Sequence, residues 1–175
     1  SHDELEFANL VDTLEQVKAP DLVLDAGTPD ARNRALDWLQ HAPSTMVYVG
    51  HGSLPLLGDE KIFTVEDAGI WDGPTVVAAW SCLSADFSHP AYTGIAEAWL
   101  RASQGAVAVV GPTGETTTYQ QRDMAVSLQE ALAEGQTLGD ALLRAWESSA
   151  SEDARLSFLL LGDPALRVMP YSSGE

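Results

Sequence analysis

The stretch Thr75-Val76-Val77-Ala78-Ala79-Trp80 decides the fold class, because it is apolar almost throughout and does not alternate between apolar and polar residues. Strands with this pattern are buried on both faces, as they are in parallel sheets covered by helices. Other apolar runs have the same character, and we predict strands at Thr45–Val49, Ala106–Val110 and Leu156–Leu161, with a shorter one at Leu22-Val23-Leu24. The sequence therefore predicts a sheet that is parallel for most of its strands.

Between these runs, apolar residues recur at the helical spacing of three and four. This spacing predicts helices from Phe7 to Val17, from a Thr28-Pro29 start to Leu39, over Ala91–Ser103, from Met124 to Leu132, and from Thr137 to Trp146. Thr137, with Asp140 three residues on, resembles a capping box, and Leu166–Met169 is predicted to pair near the last strand. Alternating strands and helices predict a single α/β domain over residues 1–175, with a mostly parallel central sheet between two helical layers.

The composition suits one globular domain and argues against several classes of partner. The 175 residues are 45% apolar and 20% charged, which excludes a disordered or fibrous chain. Nine Lys and Arg against 26 Asp and Glu give a net charge of −17, and such a surface repels nucleic-acid phosphates and anionic lipid. We therefore predict no nucleic-acid partner and no membrane partner. Basic peptides would be attracted, although solubility alone is the commoner reason for an acidic surface.

The single cysteine and the chain's start bear on its origin. Cys82 alone cannot form an intrachain disulfide or a multi-thiolate zinc site. No apolar stretch approaches the about 20 residues of a spanning helix, and the acidic start Ser1-His2-Asp3-Glu4 is unlike a signal peptide. Because the start lacks Met and the first element is a helix, we expect a mature, cleaved or truncated piece of something longer. The compartment stays open.

Two residues with nucleophilic or acid–base chemistry follow two of the predicted strands. Thr45–Val49 is followed by Gly50-His51-Gly52-Ser53, and Thr75–Trp80 is followed by Ser81-Cys82. If these strands are parallel neighbours, His51 and Cys82 emerge at the same edge, where α/β sheets bind ligands. A thiol near an imidazole can carry out acyl transfer. The two glycines let the backbone approach a substrate and free an N–H for an oxyanion.

Each of these residues also has a simpler interpretation. A single cysteine is usually a small core residue, and a histidine in a glycine-rich turn is usually an ordinary loop residue. His89, seven residues after Cys82, competes with His51 as the base, but no glycines flank it and its loop is irregular. We favour the pair on matching strand ends and keep the simpler interpretations open.

Further segments are weaker candidates. Gly111–Thr117 resembles a phosphate-binding loop but lacks its lysine, so we predict no nucleotide. Because the segment follows a strand, its Thr113 and Glu115 are candidates for one wall of a peptide cleft. Trp80 and Ser81, next to Cys82, are further candidates for substrate contact, with Trp80 expected nearest the cleft.

Other reaction classes lack their motifs. There is no Gly-x-Ser-x-Gly elbow for a serine hydrolase. The histidines show no metal-ligand spacing with carboxylates, so we predict no catalytic metal and no cofactor. Five acidic residues lie close together in the sequence: Asp59, Glu60, Glu66, Asp67 and Asp72. They could bind a structural calcium ion, but a solvated acidic loop is the simpler interpretation.

Six blocks, in order, resemble the gingipain-type cysteine peptidases of family C25, in the caspase-like clan. The histidine block is Tyr48-Val49-Gly50-His51-Gly52-Ser53, and the cysteine block is Ser81-Cys82-Leu83-Ser84-Ala85-Asp86-Phe87. The other four blocks are Gly94–Trp99, Gln104–Gly111, Thr137–Ala141 and Leu160–Leu166. The resemblance covers residues 45–168, and the succession of blocks is more specific than any one of them.

The resemblance implies a caspase-like αβα sandwich and a cysteine endopeptidase that acts on a peptide or protein substrate. It implies Cys82 as the nucleophile and His51 as its acid–base partner, with the backbone N–H groups of Gly52 and Cys82 as the oxyanion hole. The best-known gingipains cleave after Arg or Lys, and a chain of charge −17 suits basic substrates.

The chain also departs from the family. Members usually have a longer region before the histidine block, with an acidic residue that orients the histidine, and none of Asp21, Asp25 and Asp30 matches it. We therefore expect the chain to be the C-terminal, larger part of a longer or processed protein, with a second fragment or chain completing the catalytic domain. The alternative is a catalytically silent or partner-regulated interaction domain of the same fold.

Overall fold

The computed structural model describes residues 2–18 and 22–168. The helices are α1 (His2–Val17), α2 (Ala31–Leu39), α3 (Ile95–Arg101), α4 (Thr118–Ala133), α5 (Leu138–Ser148) and α6 (Glu152–Ser157). The strands are β1 (Thr45–Val49), β2 (Gly52–Ser53), β3 (Leu56–Leu57), β4 (Phe63–Thr64), β5 (Thr75–Trp80), β6 (Ala106–Pro112) and β7 (Phe158–Gly162), and a 3₁₀ turn, Val65–Gly69, follows β4. Within these described residues, no helix has both the length and the apolar character needed to cross a membrane.

Four strands form the central sheet, in the order β1-β5-β6-β7. β1 is parallel to β5 and β5 to β6, whereas β7 runs antiparallel to β6. Every residue of β5 is buried, as its continuous apolar pattern requires when helices cover both faces of a sheet. The α/β class and the mostly parallel sheet are thereby confirmed.

Each face of the sheet has its own apolar core. On one face, Leu10 of α1, Met124 of α4 and Leu138 of α5 cluster with Trp80 and Val110 of the sheet. On the other face, α2, α3 and the small β-meander bury their apolar side chains against Val77, Ala79 and Val109. Because an apolar layer packs on each face of the sheet, the position of each strand is fixed. The position of its carboxyl end is fixed with it.

A three-stranded antiparallel meander, in the order β2-β3-β4, follows β1 directly. Gly52 pairs with Leu57, and Leu57 pairs with Phe63. Leu57 and Phe63 are buried in the second core. This meander was not predicted, because strands of two residues are too short to produce a periodic pattern.

Two predictions near the start of the chain are wrong. Leu22-Val23-Leu24 is not a strand, since residues 22–25 have no regular structure and no described strand pairs with them; three apolar residues form a strand only where a partner offers hydrogen bonds. The second helix begins at Ala31 after Asp30, whose φ is 65°, and not at the Thr28-Pro29 start. The Thr28 hydroxyl instead donates to the Asp25 carbonyl at 2.7 Å.

The end of the chain also differs from the prediction. The run Leu156–Leu161 is divided, because the Ser151 side chain accepts from the Ala154 N–H and caps the short helix α6. Leu156 is consequently 75% exposed, and the strand begins at Phe158. Of Leu166–Met169, Arg167 makes one antiparallel bridge to Thr137, and Met169 lies outside the described residues.

Candidate active site

The parallel pairing of β1 with β5 brings His51 and Cys82 to one edge of the sheet. Val49 is in register with Trp80, and the Gly50 N–H continues the ladder by donating to the Trp80 carbonyl at 3.1 Å. His51 and Cys82 each lie two residues beyond this last registered pair. The edge is the carboxyl end of both strands, where open α/β sheets bind their ligands.

The two strand-end loops touch each other at Gly52. A Cβ atom at this position would lie 2.7 Å from the Cys82 carbonyl oxygen and 2.8 Å from the Ser81 Cβ. Both distances are too short for a real contact, and the first atom belongs to backbone that cannot rotate away. Only glycine therefore allows the histidine loop to approach the cysteine loop this closely.

The imidazole of His51 is exposed and lies against α1. Its ring makes an edge-to-face contact with Phe7, with the ring centroids 5.0 Å apart and the planes at 89°. The His51 carbonyl accepts two hydrogen bonds, from the Tyr48 hydroxyl at 2.7 Å and from the Gly58 N–H at 2.9 Å. The backbone of this residue is thus fixed while its side chain stays accessible.

Tyr48 is half-buried below the histidine loop. Burial raises the pKa of its hydroxyl, and the nearby Glu60 and Asp59 carboxylates raise it further. The hydroxyl therefore keeps its proton at physiological pH and remains a donor. Gly50 makes room for it, since a Cβ there would lie 2.7 Å from the Tyr48 Oη and the φ of Gly50 is +154°.

The thiol of Cys82 is half-buried and donates to the carbonyl of Thr116, with the sulfur 3.4 Å from that oxygen. The turn after it is held by Leu83, whose φ is 56° and whose N–H donates to Gly114 at 3.1 Å. The loop after β6 thus supplies backbone carbonyls to the cysteine loop.

Gln121, a buried residue of α4, joins these two loops. Its Nε2 donates to the Ser81 carbonyl at 3.1 Å and also to the Thr116 hydroxyl. The Thr116 hydroxyl in turn lies 3.4 Å from the Ser81 carbonyl. The buried amide of Gln121 therefore fixes both Ser81, which precedes the thiol, and Thr116, whose carbonyl accepts the hydrogen bond of the thiol.

Two of the residues predicted to contact substrate lie inside the protein. Trp80 is fully buried and stacks on Phe158, with the ring centroids 5.0 Å apart. The Ser81 side chain is also buried. The expectation that Trp80 lies nearest the cleft is wrong, because β5 is covered on both faces up to its last residues. The buried side chain of Ser81 is likewise not at the surface, where it could contact a substrate.

The other two predicted substrate residues lie in the loop after β6. Thr113 is half-buried, and its N–H and hydroxyl both donate to the Ser157 carbonyl, at 2.9 and 3.1 Å. Glu115 is exposed and directly precedes Thr116, whose carbonyl accepts the hydrogen bond of the Cys82 thiol. The loop therefore lies beside the nucleophile candidate, and Glu115 is its available charged side chain.

His89, the competing base, lies in an exposed loop. Its ring is 4.8 Å from that of Tyr92, and its Nδ1 accepts from the Ala91 N–H at 3.3 Å. These are local contacts of one loop.

An ion pair anchors the meander that follows His51. Arg32 of α2 donates through both terminal nitrogens to the two carboxylate oxygens of Asp67, each at 2.9 Å, and also to the Lys61 carbonyl at 2.7 Å. The Thr64 N–H and hydroxyl donate to the same carboxylate. Burial opposes ionisation of Asp67, but the hydrogen bonds from Arg32 and Thr64 outweigh it and lower its pKa below the ordinary 3.8.

The same pair bears on the calcium alternative. Asp67 already has Arg32 as its counter-charge, and no group of three or more His, Cys, Asp or Glu within 2–18 and 22–168 is arranged to hold a metal ion.

Sequence reasoning missed four residues of this site. Phe7, Tyr48, Thr116 and Gln121 contact the predicted residues from other elements or through side chains. Two of them carried a local signal: Tyr48 lies three residues before His51, and Thr116 belongs to the segment Gly111–Thr117. The other contacts depend on how distant elements pack.

Comparisons with known proteins identify the family and the fold. The model of peptidase family C25 matches residues 8–169, and no curated protein matches the sequence. The crystal structure of the Arg-specific cysteine proteinase gingipain R (RgpB) is similar with a TM-score of 0.73 and 20% identity, over 95% of this chain and 43% of that one. The complex of Porphyromonas gingivalis RgpB pro- and mature domains gives 0.74 and 20%, over 92% and 42%.

A third structure, described as a protease, gives a TM-score of 0.69 at 14% identity, over 93% of this chain and 53% of that chain. This chain therefore spans between 42% and 53% of the solved chains named here. At such identities the likeness establishes the caspase-like fold. The family model, which matches most of the sequence, establishes that the chain belongs to peptidase family C25.

Proposed function

We propose that this chain carries the catalytic centre of a cysteine endopeptidase, with Cys82 as the nucleophile and His51 as the acid–base partner. The observation that carries the proposal is the register of β1 and β5, which brings both residues to one sheet edge. Membership of family C25 supports the same chemistry.

The reaction would proceed through an acyl-enzyme. The Cys82 thiol releases its proton to water, and the exposed His51 imidazole takes a proton up from water. The thiolate then attacks the scissile carbonyl carbon, and the carbonyl electron pair moves onto oxygen. The backbone N–H groups of Gly52 and Cys82 donate to that oxyanion. When it collapses, the C–N bond breaks and His51 protonates the departing amine. Water then attacks the thioester, His51 takes a proton from it, and the thiolate leaves as the acid product is released.

The contacts of the two side chains support this division of roles. The thiol donates to the Thr116 carbonyl, whereas the exposed imidazole has Phe7 as its ring neighbour. An imidazole that is open to solvent and separate from the carbonyl that accepts the thiol's hydrogen bond is suited to meet the leaving group. The close approach of Gly52 to the Cys82 carbonyl supports a shared oxyanion site between the loops.

For the substrate, we propose a peptide with a basic residue before the scissile bond. Glu115 is exposed and directly precedes Thr116, whose carbonyl accepts a hydrogen bond from the thiol, and the chain has a net charge of −17. The solved gingipain R is described as Arg-specific. Thr113 would contribute by holding this loop through Ser157. Replacing Glu115 by Gln is expected to raise KM for a basic peptide more than for a neutral one.

We also propose that a further segment or a second chain completes the catalytic domain. This chain spans 43% of the gingipain R chain. In the part of the chain that the structure describes, β1 is one of the two edge strands of the central sheet, and Val47 on it is 41% exposed. Proteins usually cover or pair such a strand. The gingipain complex combines a pro-domain with a mature domain, which is a precedent for a partner.

A second candidate is a silent or partner-regulated domain of the same fold. It is favoured by the partial span of the chain and by the engagement of the thiol proton with Thr116. This domain would show no turnover until its partner is added, or none at all.

The test is hydrolysis of a fluorogenic peptide library by the chain and by Cys82→Ala, His51→Asn and His89→Asn variants. We expect Cys82→Ala to abolish hydrolysis and His51→Asn to lower it by two orders of magnitude or more, about the contribution of a positioned acid–base group. His89→Asn is the matched control, because it removes an exposed imidazole from the neighbouring loop, and it should leave the rate unchanged.

Labelling separates the two candidates. A reactive Cys82 should be alkylated by iodoacetamide and protected by a peptide that is hydrolysed. Turnover by Cys82→Ala equal to that of the unmodified chain would refute the nucleophile assignment. An inert thiol without turnover would favour the silent domain.

A further inference from the structure

The peptide bond between His51 and Gly52 is held in one orientation by two hydrogen bonds to its carbonyl. The Tyr48 hydroxyl donates at 2.7 Å and the Gly58 N–H at 2.9 Å. The donors come from opposite sides in sequence, one from β1 and one from the turn after β3. A carbonyl with both lone pairs engaged cannot rotate without losing both bonds.

Fixing this carbonyl also fixes the N–H of Gly52. The two groups belong to one planar trans peptide, so they point in opposite directions. Because Gly58 pairs with the His51 carbonyl, Gly52 and Leu57 form a pair whose backbone groups do not bond each other. The Gly52 N–H therefore points away from β3 and is not used in the meander.

The sequence around Tyr48 is built to bring its phenol into this place. A Cβ at Gly50 would lie 2.7 Å from the Tyr48 Oη, whereas a Cβ at Gly58 would be in ordinary contact with it at 3.4 Å. The missing side chain of Gly50 therefore makes room for the hydroxyl. The buried phenol keeps its proton, since its pKa is raised by burial and by Glu60 and Asp59.

We propose that Tyr48 is a positioning residue for the oxyanion hole: its hydroxyl holds the His51 carbonyl and so aims the Gly52 N–H at the reacting oxygen. This proposal rests on the proposed function for the identity of the reacting oxygen. Tyr48 touches neither substrate nor sulfur in this scheme. It acts through one peptide bond.

The test compares Tyr48→Phe with Tyr119→Phe. The first keeps the ring and removes the donor, and the second removes a hydroxyl from a tyrosine that is 82% exposed. For Tyr48→Phe we expect kcat to fall about ten-fold with KM within two-fold, less than the about 100- to 1,000-fold that outright loss of an oxyanion donor costs. Tyr119→Phe should change neither parameter.

The rate of Cys82 alkylation by iodoacetamide distinguishes a loss of oxyanion positioning from a general structural defect, because only a general defect would lower this rate. The thiolate displaces iodide and forms a C–S bond without any oxyanion, so Tyr48→Phe should be alkylated at the rate of the unmodified chain. A fall in alkylation equal to the fall in kcat would overturn the proposal, and so would an unchanged kcat.

A measurement on the Gly52 amide is independent of turnover. In the unmodified chain, ¹⁵N relaxation should show the Gly52 amide to be as rigid as the amides of β1. The Tyr48→Phe substitution should shift the Gly52 amide resonance and increase the motion of that amide. If the unmodified chain neither hydrolyses peptides nor is alkylated at Cys82, the proposed function fails while this arm still decides the peptide orientation. A mobile Gly52 amide in the unmodified chain, or an unchanged one in Tyr48→Phe, would overturn the role of Tyr48.

Discussion

The ring of Phe7 stands edge-on against the imidazole of His51, with the centroids 5.0 Å apart and the planes at 89°. Phe7 belongs to α1, which is distant in sequence from the strand-end loop. This contact limits the orientations of an imidazole that is otherwise exposed to solvent. The first helix therefore takes part in the candidate site as well as in the core.

Replacing Phe7 by Leu should weaken this restraint while keeping an apolar side chain. Aromatic pairs contribute about 0.5–1.5 kcal/mol beyond burial, so we expect kcat/KM to fall by about two- to twelve-fold. Steady-state kinetics would measure the change. Leu5→Ala on the same helix is the control, because Leu5 is 65% exposed, and an equal loss in both variants would contradict the prediction.

Replacing Gly52 by Ala should separate the two strand-end loops. The new Cβ would overlap the Cys82 carbonyl oxygen at 2.7 Å, and overpacking of this kind costs about 1–3 kcal/mol. We expect a lower melting temperature together with loss of hydrolysis. Gly69→Ala, where a Cβ meets no atom within 4 Å, should melt like the unmodified chain. Full activity of Gly52→Ala would refute the close approach.

Replacing Asp67 by Asn should release the meander from α2. The carboxylate is buried and accepts two bonds from Arg32, so we expect a loss of about 2–3 kcal/mol in the free energy of unfolding at neutral pH. Glu97→Gln, which breaks the exposed pair with Arg101, should cost less than about 0.5 kcal/mol. Urea titration would measure both.

The same substitution predicts a pH dependence. The folded pKa of Asp67 is lowered from 3.8, so its stabilising contribution is complete above the unfolded value and disappears as pH falls through the folded value. The difference in stability between the unmodified chain and Asp67→Asn should therefore shrink below about pH 4. A difference that stays constant into acid would contradict the assigned ion pair.

Replacing Phe158 by Ala should remove the ring that stacks on Trp80. Large-to-small changes of a buried aromatic residue cost about 3–5 kcal/mol, and we expect that loss in the free energy of unfolding. Leu156→Ala, two residues earlier and 75% exposed, should be nearly neutral. The contrast tests the boundary between α6 and β7, since a strand that began at Leu156 would place both residues on one face.

The parts of the fold that were predictable are those with long apolar runs. Thr45–Val49 and Thr75–Trp80 form strands with the predicted bounds. The second is buried throughout and must therefore be apolar on both faces. Thr137 caps α5 as its spacing to Asp140 predicts. Each of these signals is local, so a single sequence contains it in full.

The parts that were not predictable depend on partners distant in sequence. Leu22-Val23-Leu24 has the composition of a strand but no neighbour to pair with, and Trp80 follows the pattern of its strand into the core although it lies two residues from the thiol. At the site, strand order brings His51 and Cys82 together, which the sequence did predict. The contacts of Thr116 and Gln121 come from how α4 packs under the sheet edge, and no local pattern contains that.

The packing of α1 on α4 connects both halves of the candidate dyad to a single unit. Arg122 of α4 donates to the Thr13 hydroxyl of α1 at 3.3 Å, and the same α4 supports the cysteine loop through Gln121. A shift of the N-terminal helix would move the imidazole through Phe7 and the surroundings of the sulfur through Gln121 at the same time. A displacement of either helix is therefore expected to alter the surroundings of His51 and Cys82 together.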